Sequence, residues 1–92
     1  MANLHTPDGK ITKVFPINED TFSLEELQSF VDGYMERIVL PVDKCSMIIN
    51  EEGKKEKLPY NKFATQIFLK NYPKSEDYIV GNAIICANSD LD

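Results

Sequence analysis

A chain of 92 residues in which 42% are hydrophobic is expected to form one domain, because this length supports a single hydrophobic core. Fifteen acidic and ten basic residues give a net charge of −5. This charge argues against binding to nucleic acid and against docking on anionic membranes, since both need a basic surface. Mimicry of DNA is the weaker alternative, because the acidic residues are interleaved with lysine.

The N-terminal residues and the apolar runs bear on where the protein is expected to act. The first residues lack the basic and apolar segments of a signal peptide. The longest apolar run, residues 79–87, is about half as long as a membrane-spanning helix. The sequence therefore predicts a cytoplasmic protein.

The first predicted element is a β-hairpin with strands at residues 4–6 and 10–15. The turn between them reads Thr-Pro-Asp-Gly, in which proline presets the first turn position and Gly9 accepts the left-handed conformation that reverses the chain. Pro16 then ends the second strand or marks a sheet edge.

Two helices are predicted from their starting residues. Ser23 and Glu26 form a capping box, which predicts a helix over residues 24–32. Asn61 is a suitable N-cap for a second helix over residues 62–71, and the proline that follows prevents its continuation.

The remaining strands are predicted from alternation and apolar runs. Residues 34–40 and 45–50 form a pair, and the second is apolar on both faces, as in a central strand. Residues 54–58 are a possible short charged edge strand. Residues 77–87 form a last strand inside the sheet, interrupted at Gly81-Asn82.

Together these elements predict an α+β fold in the order β-β-α-β-β-(β)-α-β. Hairpins dominate this order, so we expect a mainly antiparallel sheet of about five or six strands with both helices on one face, as a two-layer sandwich. Residues 1–87 form the domain, and residues 88–92 form an acidic tail that we expect to be frayed.

The sequence contains no recognisable metal, cofactor or disulfide signature. Cys45 and Cys86 lie in apolar runs and are expected to be small buried hydrophobes, although a disulfide is possible if their strands are neighbours. His5 is the single histidine and there is no paired Cys-x-x-Cys motif, so we predict no bound metal and no cofactor.

Catalytic residues are also lacking. A nucleophile needs an adjacent base, and His5 lies near a terminus. The carboxylate pair Glu25-Glu26 has a capping role, and Glu51-Glu52 lies in a charged turn where nothing would desolvate it. The sequence therefore predicts a protein that is not an enzyme.

A polar set forms the candidate binding surface. Asn50, Asn61 and Asn82 lie where a strand ends, a helix begins or a strand is interrupted, and Lys62 follows the second of them. If they converge at one end of the sheet, their amides and the helix N-terminus would favour an anionic group. The alternative is structural, because asparagine caps helices and tolerates turns.

Several segments resemble a known family. The stretches that carry this resemblance are residues 24–28, 31–36, 48–54, 58–62 and 79–83, and they are spread over most of residues 10–86. They look like a family of small uncharacterised proteins from bacterial, phage and plasmid genomes that is catalogued as a domain of unknown function. The family tends to have glycine where Lys57 stands and arginine where Lys62 stands, and lysine would hold a planar anion less well.

The resemblance implies an accessory protein of a mobile element, and it supplies no activity, substrate or catalytic residue. We therefore expect a binding module in the cytoplasm of a bacterial host. It would sequester a host protein or a small anionic ligand, for instance as an anti-defence factor. The alternative is a structural or regulatory homo-oligomer such as a homodimer, and a third hypothesis is a hydrolase that uses Glu51 and Glu52.

Overall fold

The computed structural model describes residues 2–18 and 20–91. These residues form five strands, two α-helices and a short 3-10 helix: β1 (Ala2–His5), β2 (Ile11–Val14), α1 (Leu24–Val31), β3 (Met35–Leu40), β4 (Cys45–Asn50), α2 (Lys62–Asn71), β5 (Ala83–Cys86) and the 3-10 helix Asn88–Asp90. All strand pairs are antiparallel and the sheet order is β2-β1-β5-β4-β3. The α+β class, the mainly antiparallel sheet and the two helices are confirmed. Among the described residues, no helix is both long enough and apolar enough to cross a membrane.

Both helices begin at the predicted caps. The Ser23 hydroxyl accepts a hydrogen bond from the Glu26 amide at 3.1 Å, and the Glu26 carboxylate accepts one from the Ser23 amide at 2.9 Å. α1 ends one residue earlier than predicted, because Asp32 takes the left-handed conformation with φ of 59°. Gly33 is needed for another reason, since a Cβ atom there would lie 2.8 Å from Nδ2 of Asn50. α2 has the predicted bounds.

Two hydrophobic clusters lie on opposite faces of the sheet. α1 packs with Ile48 and Ile84, whereas α2 packs with Met47 and Ala83. Successive residues of a strand point to opposite faces, so the helices cover opposite faces and the fold has three layers. The expectation of a two-layer sandwich with both helices on one face was therefore wrong. The physical reason is that β4 and β5 are apolar on both faces, and each face must be covered.

The segment predicted as a short charged edge strand is not a strand. Residues 51–57 form consecutive turns, in which the Glu56 amide donates to the Glu52 carbonyl at 2.9 Å and the Leu58 amide donates to the Gly53 carbonyl at 3.0 Å. Local hydrogen bonds therefore replace a ladder in this segment.

β5 lies between β1 and β4, as predicted for a strand that is apolar on both faces. The ladder covers only the last part of the predicted run, because Gly81 takes a φ of 75° and breaks the strand at the predicted interruption. Before the break, Val80 makes a single bridge with Tyr60.

The residues after β5 are held against the domain, in contrast to the frayed tail that we expected. The Phe22 amide donates to the Asp90 carbonyl at 2.9 Å, and the Ser46 hydroxyl donates to Oδ1 of Asn88 at 2.5 Å. These bonds tie the 3-10 helix to the α1 face of the sheet. Residue 92 lies outside the described residues.

Candidate functional site

Asn61 joins three parts of the fold. Its side chain is 0% exposed, and its Nδ2 donates to the carbonyls of His5 at 3.0 Å and Gly81 at 2.8 Å. Its Oδ1 accepts from the Ala64 amide at 3.1 Å, which is the predicted N-cap bond. The side chain therefore links β1, the break before β5 and the start of α2.

Asn50 and Asn82 meet at the other helix. Nδ2 of Asn50 donates to the Val31 carbonyl at 3.1 Å, and Nδ2 of Asn82 donates to the Phe30 carbonyl at 3.0 Å. The last carbonyls of a helix lack partners within the helix, so the two asparagines satisfy the end of α1. Asn50 is only 4% exposed, and its Oδ1 accepts from the Glu52 amide at 2.8 Å.

The three asparagines converge at one end of the sheet, where β4 ends and β5 begins, but with Lys62 they do not form one open site. Asn50 and Asn82 bind the end of α1, whereas Asn61 lies at the start of α2 and Lys62 is exposed beside it. The buried amides of Asn50 and Asn61 already bind backbone groups, which corrects the expectation that they are offered to a ligand. For these two residues the hydrogen bonds favour the structural alternative.

The cysteines and the histidine are poorly placed for nucleophilic chemistry. Cys86 pairs across the strands with Ser46, so the next residue, Cys45, points to the opposite face; both thiols are free. Burial raises the pKa of the Cys86 thiol to about 11, and burial together with Asp43 raises the pKa of Cys45. Burial also lowers the pKa of His5, whose Nδ1 is buried without a hydrogen-bond partner among the described residues.

The described residues also show no cluster of metal ligands. Within residues 2–18 and 20–91, no group of three or more His, Cys, Asp or Glu side chains is placed to hold a metal ion. Glu51 and Glu52 are exposed in the turn that follows β4.

The most distinctive surface is the open edge of the sheet at β3. In the described part of the chain, β3 has a neighbour only on one side, which is β4. The Glu51 amide donates to the Tyr34 carbonyl at 2.8 Å, and from this pair the register continues through β3 and β4. Hydrogen-bonded pairs alternate in an antiparallel ladder. The backbone N–H and C=O groups of the even-numbered residues of β3 therefore point toward β4. The backbone amides of Met35 and Val39 consequently point to the open edge.

One carbonyl at this edge is already occupied. The Tyr72 hydroxyl, at the C-terminal end of α2, donates to the Val39 carbonyl at 2.5 Å. This bond agrees with a Val39 backbone carbonyl that points away from β4, toward the open edge. It also covers one end of an edge that could otherwise pair with another strand.

Two grooves run along β3 on the α2 face. Their volumes are about 390 and about 430 Å3, and both are lined by Glu36, Ile38 and Asp77. The larger groove is also lined by Phe68 of α2, and the smaller one by Ile79. The grooves are thus apolar at the base and carry carboxylates at the rim.

An ion pair lies in the lining of the smaller groove. Lys54, from the turn after β4, pairs with Asp77, and its Nζ lies 4.5 Å from the centroid of the Tyr78 ring. Tyr78 in turn lies 6.1 Å from Tyr60, centroid to centroid. The turn and the segment before β5 therefore form the wall of the groove.

The sequence carries one signal for this surface that is absent from the predictions above. Glu36 and Arg37 are adjacent charges inside a strand, which is typical of an edge strand rather than a central one. The contributions of Asp77 and Tyr72 carry no such local signal, because they come from segments far from β3 in the sequence.

Comparison with known proteins identifies the family. The family model described as "Domain of unknown function (DUF3846)" matches residues 4–92, so this chain belongs to that family. The resemblance to an uncharacterised family is thereby confirmed. No curated protein and no solved structure shows a significant match to the chain.

Proposed function

We propose that this chain is a non-enzymatic binding module that captures an extended segment of a partner protein as an additional strand beside β3. The observation that supports this proposal is an open edge strand with two grooves along it. In a phage or another mobile element, such capture would sequester a host protein and serve, for example, to block a defence system.

Strand addition divides affinity and specificity between backbone and side chains. Main-chain hydrogen bonds to the edge supply affinity, at about 0.5–1.5 kcal/mol net for each bond, and side-chain pockets at alternate positions supply specificity. Met35 and Val39 offer amides for such bonds. The grooves offer space for the alternate side chains that point to the α2 face.

Self-association through the same edge is less favourable. A symmetric antiparallel pair centred on Arg37 would bring two guanidinium groups together, and one centred on Glu36 would bring two carboxylates together. Like charges directly opposite each other destabilise strand pairs.

The homo-oligomer remains a second candidate at the other edge of the sheet. Phe15 and Ile17 follow β2 and are 67% and 86% exposed. Large exposed apolar side chains next to an edge strand favour association between copies. Sedimentation velocity distinguishes the homo-oligomer from the binding module. If the chain is a dimer through this edge, the double variant Phe15→Ser with Ile17→Ser should be a monomer. A wild-type protein that is already a monomer would exclude the homo-oligomer.

Hydrogen exchange tests strand addition directly. Peptides would be selected from a random dodecamer display library against the folded protein, and amide exchange would be followed by NMR with and without a selected peptide. We expect Met35 and Val39 to become protected on binding, while Glu36 and Ile38 are protected already, because their amides face β4. Selected peptides that leave the exchange of Met35 and Val39 unchanged would refute the proposal.

A further inference from the structure

We infer that the segment captured at β3 is basic: it places a lysine or arginine beside Glu36 and an apolar residue beside Ile38. The inference rests on the proposed function, because it names the chemistry of the partner at the same edge. It follows from the charges and the alternation of the residues that line the grooves.

Glu36 is the central observation. It lies on the α2 face of the outermost strand, and its partner across the ladder is the apolar Ile49. The Glu36 carboxylate is exposed and has no ion pair or hydrogen bond with any residue in the described part of the chain. An added strand would place its own side chain directly beside this carboxylate, where an opposite charge is favourable.

The surrounding groove has the same sign. Among the described residues, the smaller groove is lined by four carboxylates and two ammonium groups, which belong to Glu36, Glu51, Glu52, Asp77, Lys54 and Lys55. One of these ammonium groups is already paired, because Lys54 binds Asp77. Three carboxylates and one ammonium group are then left to face a ligand. This balance favours a cation and disfavours the small anionic ligand that the sequence suggested.

The alternation of β3 sets the spacing of the partner. Glu36 and Ile38 point to the same face, so they contact partner residues that are two positions apart. Arg37 points to the opposite face, where its guanidinium group donates to Ser46 at 3.0 Å and to Asn88 at 3.2 Å. The captured segment is therefore expected to alternate one basic and one apolar residue on its groove side.

The test uses the library peptides selected on the wild-type protein. The strongest binder would be titrated against the wild type, Glu36→Lys and Glu25→Lys at two salt concentrations. Glu25→Lys changes the net charge by the same amount but lies on α1, which covers the other face of the sheet. From the strength of cross-strand charge pairs, we expect Glu36→Lys to weaken peptide binding about two- to fivefold. Glu25→Lys should change the affinity little. The loss should shrink as salt is raised.

A charge exchange completes the test. A peptide in which the basic residue is replaced by glutamate should bind Glu36→Lys more tightly than it binds the wild type. If selected peptides protect Met35 and Val39 but show no enrichment in lysine or arginine, or ignore Glu36→Lys, this inference is overturned and strand addition survives. If peptides are not recovered, or do not protect the edge, both the inference and the proposed function are overturned.

Discussion

Replacement of Asn61 by alanine should destabilise the fold by more than the loss of a helix cap. The cap bond to Ala64 contributes about 1 kcal/mol, which is typical of a lost N-cap. The two amide bonds to the carbonyls of His5 and Gly81 contribute about 1 kcal/mol each. We therefore expect Asn61→Ala to lower the free energy of unfolding by about 3 kcal/mol, a large share of the total for a small domain.

Two further variants isolate the contributions. Ser23→Ala removes only the cap of α1 and should cost about 1 kcal/mol. Asn61→Asp keeps an acceptor for the Ala64 amide, but it places a carboxylate oxygen against the two carbonyls. It should therefore lose at least as much stability as Asn61→Ala at pH 7, although aspartate is a good N-cap residue.

Urea unfolding followed by far-ultraviolet circular dichroism at pH 7 gives the three free energies. If Asn61→Ala cost no more than Ser23→Ala, or if Asn61→Asp matched the wild type, the two carbonyl bonds would contribute nothing. The Asn61 amide could then be available to a ligand, as the sequence first suggested, and the structural role derived from its contacts would be refuted.

Three other changes test the edge, the buried histidine and the break before β5. Tyr72→Phe frees the Val39 carbonyl for an added strand, so we expect tighter binding of the selected peptides with little loss of stability; an unchanged peptide affinity would contradict a guarding role. Burial lowers the pKa of His5, so below about pH 6.5 the unfolded chain binds a proton at this residue more readily than the folded protein does. The free energy of unfolding should therefore fall as the pH drops below that value. His5→Val should therefore reduce the change in the free energy of unfolding between pH 7 and 5.5, measured by urea unfolding. If that pH dependence were unchanged, the loss of stability at low pH would belong to other groups. Gly81→Ala should cost at least about 1 kcal/mol, because φ is 75° and the added Cβ would lie 2.8 Å from Leu58; a wild-type melting temperature would exclude that strain.

Elements that depend on neighbouring residues could be predicted from the sequence. The capping box at Ser23 and the cap at Asn61 act within one helical turn, and both helices begin where these residues place them. The side of the sheet that each helix covers is not local. Even so, Met47 and Ile48 are adjacent and both apolar, and this pattern already required cover on both faces of the sheet.

The candidate site was harder to predict, because residue type does not reveal a partner that is distant in the sequence. Asn50 binds the Val31 carbonyl, and Asn61 binds the His5 carbonyl from the far end of the chain. Asparagine can cap, cross-link or bind a ligand with the same amide, so only the tertiary contacts distinguish these roles. The sequence located the polar residues correctly, whereas their use as structural links depended on the fold.

The charges of β3 give a physical reason why an open edge can persist on this chain. An unpaired edge of a sheet tends to join another copy, and proteins commonly oppose this with charged residues on the edge strand. Glu36 and Arg37 oppose symmetric self-pairing, since each would meet its own charge. The same carboxylate attracts a strand of opposite charge. One residue can therefore keep the edge monomeric and select a basic partner, so replacing Glu36 by lysine should change the choice of partner without creating a self-complementary edge.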